Sequence, residues 1–183
     1  MTRPAERSCA PSIHELDPHA FRPWVTDAVA VYVSALDPPP EEVSQRRAIL
    51  ERHLDRRGYR AVIAHQDAHL VGFCYGYHGA PGQWWHDVVA RGLGRSASRR
   101  WLTDTFEVAE LHVLPDRQGQ GLGRELLTTL LTGCTESSAV LSAYDAATPA
   151  RSLYRSMGFV DLLTGFRFPG GRREFAVMAK PLR

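Results

Sequence analysis

The sequence predicts an α/β fold: one mixed central sheet of about six to seven strands flanked by helices. Three observations predict it. Segments with helical periodicity and segments with strand character follow one another along the chain, and neither type is confined to one half. Helix start and stop signals separate them, notably Pro38-Pro39-Pro40, Gly58 and Thr148-Pro149. The 183 residues, 44% of them hydrophobic, suffice for one sizeable core and are too few for two.

The elements follow in order. Residues 1–11 hold Pro4 and Pro11 and read as a flexible tail before a single domain over 12–183. "SIHELD" (12–17) alternates apolar and polar residues and reads as a first strand. "FRPWVTDAVAVYVSALD" (21–37) has apolar residues at helical spacing. "EEVSQRRAILERHLDRRG" (41–58) is a second amphipathic helix, with Glu41 and Glu42 in its first turn and arginines in its last. Two strands, 59–65 and 69–77, surround the turn Gln66-Asp67-Ala68. A long aromatic insert then separates strands 3 and 4. It covers 78–104, contains Trp84, Trp85 and Trp101, and reads as a short helix near 83–91 followed by an irregular loop. "TFEVAELHVL" (105–114) is a strand ended by Pro115. Residues 121–134 form a helix with Leu122, Leu126, Leu127, Leu130 and Leu131 along one side. A strand (138–144) precedes a helix (148–157) capped by Thr148, opened by Pro149 and stopped by Gly158. Two closing strands flank the turn at 169–171.

Composition narrows the function. A net charge of +2 gives no electrostatic footprint for nucleic acid. Cys9, Cys74 and Cys134 are far apart and form no CxxC pair, so neither a disulfide framework nor a metal site is expected. There is no signal-like segment, and no run approaches the ~18 apolar residues of a membrane span. A soluble, cytoplasmic protein without nucleic-acid or membrane partners is the expectation.

The stretch Gln118-Gly119-Gln120-Gly121-Leu122-Gly123 places three glycines at alternate positions between a strand and a helix. The first N–H groups of a helix lack intrahelical partners, and the helix dipole favours an anion beyond them. Glycines let the backbone approach a bulky diphosphate and adopt dihedrals closed to other residues. Arg117 and Arg124 add positive charge at the rim. The spacing is GxGxG, not the GxGxxG of dinucleotide-binding folds, and no GK[ST] follows as in a P-loop. Taken alone, it is also compatible with a tight strand-to-helix turn.

A second segment adds specificity. "ELHVLPDRQGQGLGRELL" (110–127) together with "TPARSLYRSMGF" (148–159) resembles the GNAT superfamily of acetyl-CoA-dependent N-acetyltransferases. Val113, Pro115, Gln118, Gly121 and Gly123 match the family's first motif, and Leu153, Tyr154, Gly158 and Phe159 match its second. The resemblance implies a GNAT-like domain with acetyl-CoA as co-substrate and no metal. It implies that the pantetheine arm pairs with the strand edge at Leu111, His112 and Val113. The pyrophosphate would lie on the backbone from Gln118 through Gly119, Gln120, Gly121, Leu122 and Gly123 to Arg124. It further implies direct attack of an amine on the acetyl thioester, with Tyr154 as the acid that protonates the leaving thiolate. One departure is Ala147, where the family often has a cofactor-binding asparagine; Thr148 or Asp145 is positioned in sequence to substitute.

An attacking amine must lose a proton, which calls for a base. Glu107 and Glu110 stand on an otherwise apolar strand, where a carboxylate is costly unless paired or used. Strand alternation sends them to opposite faces, unless a bulge shifts the register. Glu110 is favoured because it adjoins the cofactor-pairing segment, Glu107 follows closely, and His112 is a weaker choice. The competing reading for either carboxylate is an ion pair with an arginine. Tyr75, Tyr77, Trp84 and Trp85 are candidates for an acceptor-binding wall, and these aromatics could equally pin the insert to the sheet. The run Arg91, Arg95, Arg99 and Arg100 reads as a solvated surface. The expected activity is acetyl transfer to a primary amine of a small molecule, by a monomer or homodimer. The alternative is a non-catalytic acyl-CoA sensor.

Overall fold

The structure is a computed structural model and describes residues 10–183. The expected tail therefore falls almost wholly outside the described residues, as does Cys9. The chain runs β1 (Ser12–Leu16), α1 (Pro18–Phe21), a 3-10 turn (Arg22–Trp24), α2 (Val25–Leu36), α3 (Pro40–His53), β2 (Arg60–Gln66) and β3 (His69–Gly79). It continues through α4 (Trp84–Trp101), β4 (Thr105–Val113), a 3-10 turn (Pro115–Arg117), α5 (Leu122–Leu131), β5 (Ser138–Tyr144), α6 (Pro149–Ser156), β6 (Val160–Phe166) and β7 (Phe175–Pro181). The strands form one mixed seven-stranded sheet in the order β1-β2-β3-β4-β5-β7-β6. Among the described residues only β4 and β5 pair in parallel; every other neighbouring pair is antiparallel.

Helices cover both faces. On one face, Leu122, Leu126, Leu127 and Leu130 of α5 are buried against Val62, Val71, Phe106 and Val108 of the sheet. The leucine stripe of the sequence is this contact. On the other face, Phe21, Val25, Ala28, Val31 and Leu50 from α1–α3 pack on Ala61, Ile63, Phe73 and Tyr75. A third cluster joins Val89 of α4 and Leu102 to Val140, Val177 and Ala179. Among the described residues no helix is long and apolar enough to cross a membrane.

Local signals explain the helix ends. Thr148 caps α6 by accepting a hydrogen bond from the Arg151 N–H at 3.2 Å, and Pro149 occupies the first turn. Asp17 caps α1 in the same way through Ala20 at 2.9 Å. The segment 92–101 corrects the sequence reading. It is helical, not an irregular loop, so α4 spans the stretch from Trp84 to Trp101 with one break at Gly94, which has φ 74° and ψ 173°. Gly92 and Gly94 disguise two consecutive helices as a loop.

The register of β4 overturns the simple alternation rule. Tyr75 pairs with Glu110, Gly76 with Val108, and Tyr77 with Glu107. One step on β3 therefore answers two on β4, which makes Ala109 a bulge residue. Tyr75 and Tyr77 share a face, so their partners Glu110 and Glu107 share it too. Gly76 opposite this bulge is required by space. A Cβ there would lie 2.4 Å from the Glu107 carbonyl oxygen and 2.4 Å from Phe106 Cε1.

Candidate active site

The sheet itself opens the site. The parallel β4–β5 ladder contains only Thr105–Ser138, Phe106–Ala139 and Glu107–Val140. Beyond Glu107 the two strands part, while β5 stays paired with β7 as far as Tyr144. The β4 backbone edge from Ala109 onward is thereby left without a strand partner on that side. Glu107 sits at the vertex of the splay. A cleft of about 1080 Å³ fills the opening, lined by β4, the glycine loop, α6, the end of α2, one side of α3, the start of α4, the end of β5 and the segment 168–175.

The glycine loop forms one end of this cleft. Gly119 and Gly121 have φ of 73° and 87°, and Gly121 is the residue from which α5 starts. Both face open space, so their backbone is accessible. Gln118, Gly119, Gly121, Gly123 and Arg124 line the cleft with Leu111, His112 and Val113. Gln120 and Leu122 do not. The Gln120 side chain donates to the Asp116 carbonyl at 3.0 Å, and Leu122 is buried against the sheet. These residues fit a diphosphate-bearing group: exposed left-handed glycines, a helix start and the Arg124 cation converge at one place. Asp145 is not free to replace the asparagine absent at Ala147. Its carboxylate is held by Arg151 and the Gly165 N–H. Thr148, which does line the cleft, spends its hydroxyl oxygen on the helix cap.

The two glutamates have opposite electrostatics. Glu110 accepts from Arg46 Nη1 at 2.5 Å and meets His112 Nε2 at 2.5 Å. Burial pushes its carboxyl up, but the His112 hydrogen bond, the His112 charge and Arg46 outweigh this and hold it below the ordinary range. Arg46 also donates to the Tyr32 hydroxyl at 3.0 Å and lies over its ring at 4.2 Å. Glu110 is thus the arginine-paired carboxylate that the competing sequence reading described. Glu107 is 4% exposed and has one partner, the Tyr77 hydroxyl, which donates to Oε1 at 3.0 Å. Oε2 is buried with no hydrogen bond among the described residues. Burial raises this carboxyl to about 7, with Tyr77 and Arg56 opposing only in part. A carboxyl that titrates near neutrality is matched to proton transfer.

Tyr154 lines the same cleft from α6 and is 7% exposed. Its ring packs edge-on against Phe159 at 5.9 Å, and its hydroxyl has no hydrogen-bond partner among the described residues. Burial, then Cys74 and Glu110, push it well above the ordinary tyrosine range, so it keeps its proton. Of the proposed aromatic wall, Tyr77, Trp84 and Trp85 line the cleft. Tyr75 does not. It is fully buried behind the wall, with its hydroxyl 3.0 Å from His53 Nδ1. Trp84 is 59% exposed and stacks on Phe168 at 5.5 Å, while Trp85 donates to Ser142 Oγ at 3.3 Å. Sequence reasoning missed the opposite wall: Tyr32, Arg46, Arg52, His53 and Arg56 from α2, α3 and the turn after it. Burial lowers His53 to about 4, so it is neutral. The available signal was the buried Glu110, which had to find a cation somewhere.

Comparison with known proteins agrees with this geometry. The chain is 35% identical to a GCN5-like protein acetyltransferase of Mycobacterium tuberculosis, over 92% of this chain and 96% of that protein. It is 30% identical to a phosphinothricin N-acetyltransferase of Alcaligenes faecalis, over 79% of this chain and 66% of that one. The fold also matches the structure of a Salmonella typhimurium protein with its cofactor acetyl-CoA, with a TM-score of 0.62 at 18% identity over 96% and 95% of the two chains. The family model for the acetyltransferase (GNAT) family matches residues 22–159, which take in the splayed strands, the glycine loop and Tyr154. The chain belongs to the GNAT family of acetyltransferases.

Proposed function

We propose that the protein transfers an acetyl group from acetyl-CoA to a primary amine of a small molecule, by direct attack within a ternary complex. The observation that carries this reading is the position of Glu107. A carboxyl raised to about 7 stands at the vertex of the β4–β5 splay, in one cleft with Tyr154 and the glycine loop. The residues suited to hold the co-substrate are the free β4 edge at Leu111–Val113 and the loop Gln118–Arg124. When bound there, acetyl-CoA supplies the acetyl thioester.

The protein's own groups supply proton handling and exclusion of water. Glu107 takes the proton of the incoming ammonium, directly or through one water, because its carboxyl, raised to about 7, ionises as the pH passes through neutrality. Glu110 is a poorer base, since Arg46 and His112 stabilise its charge. It holds the wall formed by Arg46 and Tyr32 in place. Tyr154 retains its proton and offers it at the hydroxyl to the departing sulfur. Trp84, Trp85 and Phe168 wall off the opening on the α4 side, which favours a compact acceptor.

A second reading has one observation in its favour. The relative with 35% identity is named a protein acetyltransferase, so a lysine side chain of a protein is the competing acceptor. The test is amine-dependent release of thiol from acetyl-CoA across small amines and lysine peptides. Turnover on small amines supports the proposal, and turnover on peptides alone supports the second reading. A protein that binds acetyl-CoA without releasing thiol on any amine would be the non-catalytic sensor.

A further inference from the structure

At the acceptor end of the cleft, two of three arginines stand without a carboxylate partner among the described residues. Three arginines line it: Arg46, Arg52 and Arg56. Arg46 is paired with Glu110. Arg52 and Arg56 make no ion pair or side-chain hydrogen bond among the described residues. Arg52 stands in the last turn of α3, where a cation also complements the helix dipole. That account does not extend to Arg56, which lies beyond the end of the helix at Leu54. Its Nε is buried without a partner, and its guanidinium lies 6.0 Å from the centre of the Tyr77 ring. Tyr77 in turn donates to Glu107. One tyrosine side chain therefore stands between a cation with no direct partner and the proposed base.

A guanidinium with a buried, unsatisfied N–H in a ligand cleft is a costly arrangement that an oxyanion relieves by a charge-assisted, often bidentate, pair. Arg56 and the exposed Arg52 also repel an acceptor that carries only an ammonium group, so a plain alkylamine suits this end poorly. Together they favour the neutral, nucleophilic form of an amine anchored beside them. Glu42 and Glu110, the other carboxylates of this wall, are engaged with Tyr32 and with Arg46 and His112.

We infer that the acceptor carries an oxyanion, in the simplest case a carboxylate, which Arg56 and Arg52 bind while its amine faces Glu107. The inference rests on the amine-transfer reading above and names the chemistry of its acceptor. Two sources present this chemistry: a free molecule of amino-acid type, or a lysine beside an acidic residue.

The experiment measures kcat/KM for thiol release on matched pairs. One arm compares α-, β- and γ-amino acids with their carboxamides. The other compares lysine peptides carrying Asp or Asn next to the lysine. The acidic member of a pair is expected to be preferred by about tenfold or more in one arm, which identifies the source. Arg56→Gln should bring that ratio toward one, and Arg56→Lys should retain part of it. Because each ratio is taken within one enzyme, a general loss of fold or of acetyl-CoA binding cancels. As an independent readout, the preferred acid should raise the melting temperature of the protein without acetyl-CoA more than its amide does. Amides that match or exceed their acids in both arms overturn the inference while leaving acetyl transfer intact. An acid preference untouched by Arg56→Gln and Arg52→Gln combined also overturns it. No turnover on any amine would refute the transfer reading itself.

Discussion

Replacing Glu107 by glutamine separates the folding cost of a buried carboxyl from its use. The side chain is 4% exposed, and its carboxyl is raised from 4.5 to about 7. The folded protein therefore binds this proton more tightly than the unfolded chain does. Stability is unaffected below the unfolded value, falls as pH rises between 4.5 and about 7, and stays lower above that. Each tenfold change in proton affinity is worth 1.36 kcal/mol, so the whole displacement costs about 3 kcal/mol at pH 8. Glutamine keeps an oxygen to accept from the Tyr77 hydroxyl but cannot ionise. In urea unfolding the Glu107→Gln protein should thus gain on the parent by about 3 kcal/mol between pH 4.5 and pH 8. Turnover should move the other way. The parent's kcat/KM should rise with pH through about 7, and the variant should be slower by about 100-fold or more. A stability difference that stays constant from pH 4.5 to 8 would refute the electrostatic argument. Unchanged turnover would remove Glu107 from the chemistry even if the stability difference appeared.

Glu110→Gln should behave oppositely. It strands Arg46 and His112 in a buried site, so a loss of about 3–5 kcal/mol is expected at neutral pH. That loss should shrink in acid, because a depressed carboxyl contributes its stability only while ionised; urea unfolding at pH 7 and pH 4 checks both points. Tyr154→Phe should cut kcat by about 100-fold and leave the acetyl-CoA thermal shift intact, since it removes a proton donor and keeps the ring. Gly121→Val should abolish that thermal shift, because a branched side chain at φ 87° is strained by about 1–2 kcal/mol and stands in the open cradle. A shift of the parent's size would mean that the glycine loop holds nothing.

The helices and strands that carry the family motifs were legible because their signals are local. The leucine stripe of α5, the Thr148 cap and the glycine loop each depend on residues a few positions apart. Two features escaped for physical reasons. The wall from α2 and α3 reaches the site through contacts such as Arg46 to Glu110, 64 positions apart, and no spacing rule links such partners. A buried carboxylate announces that a cation is needed, but which of many arginines answers is decided by the tertiary fold. The bulge at Ala109 escaped because nothing in "EVAELHV" marks it; the only trace is Gly76 on the facing strand, where a Cβ would strike the Glu107 carbonyl. The second half of α4 is hidden by the opposite effect. Gly92 and Gly94 read as loop residues, yet only Gly94 leaves the helical conformation.

The extra residue at Ala109 gives β4 two reading frames. Before it the odd-numbered Glu107 faces the α2–α3 side, and after it the even-numbered Glu110 and His112 do. With the length of the strand unchanged, a plain alternation through this segment would turn one half of it over. Glu107 would then trade places with Val108, or Glu110 and His112 with Leu111. The first exchange loses the proposed base, and the second strands Arg46. Deleting Ala109 would instead remove the bulge and leave Tyr75–Glu110, Gly76–Val108 and Tyr77–Glu107 as one regular ladder, so a single-residue alignment gap between Glu107 and Glu110 in a relative is compatible with the same site.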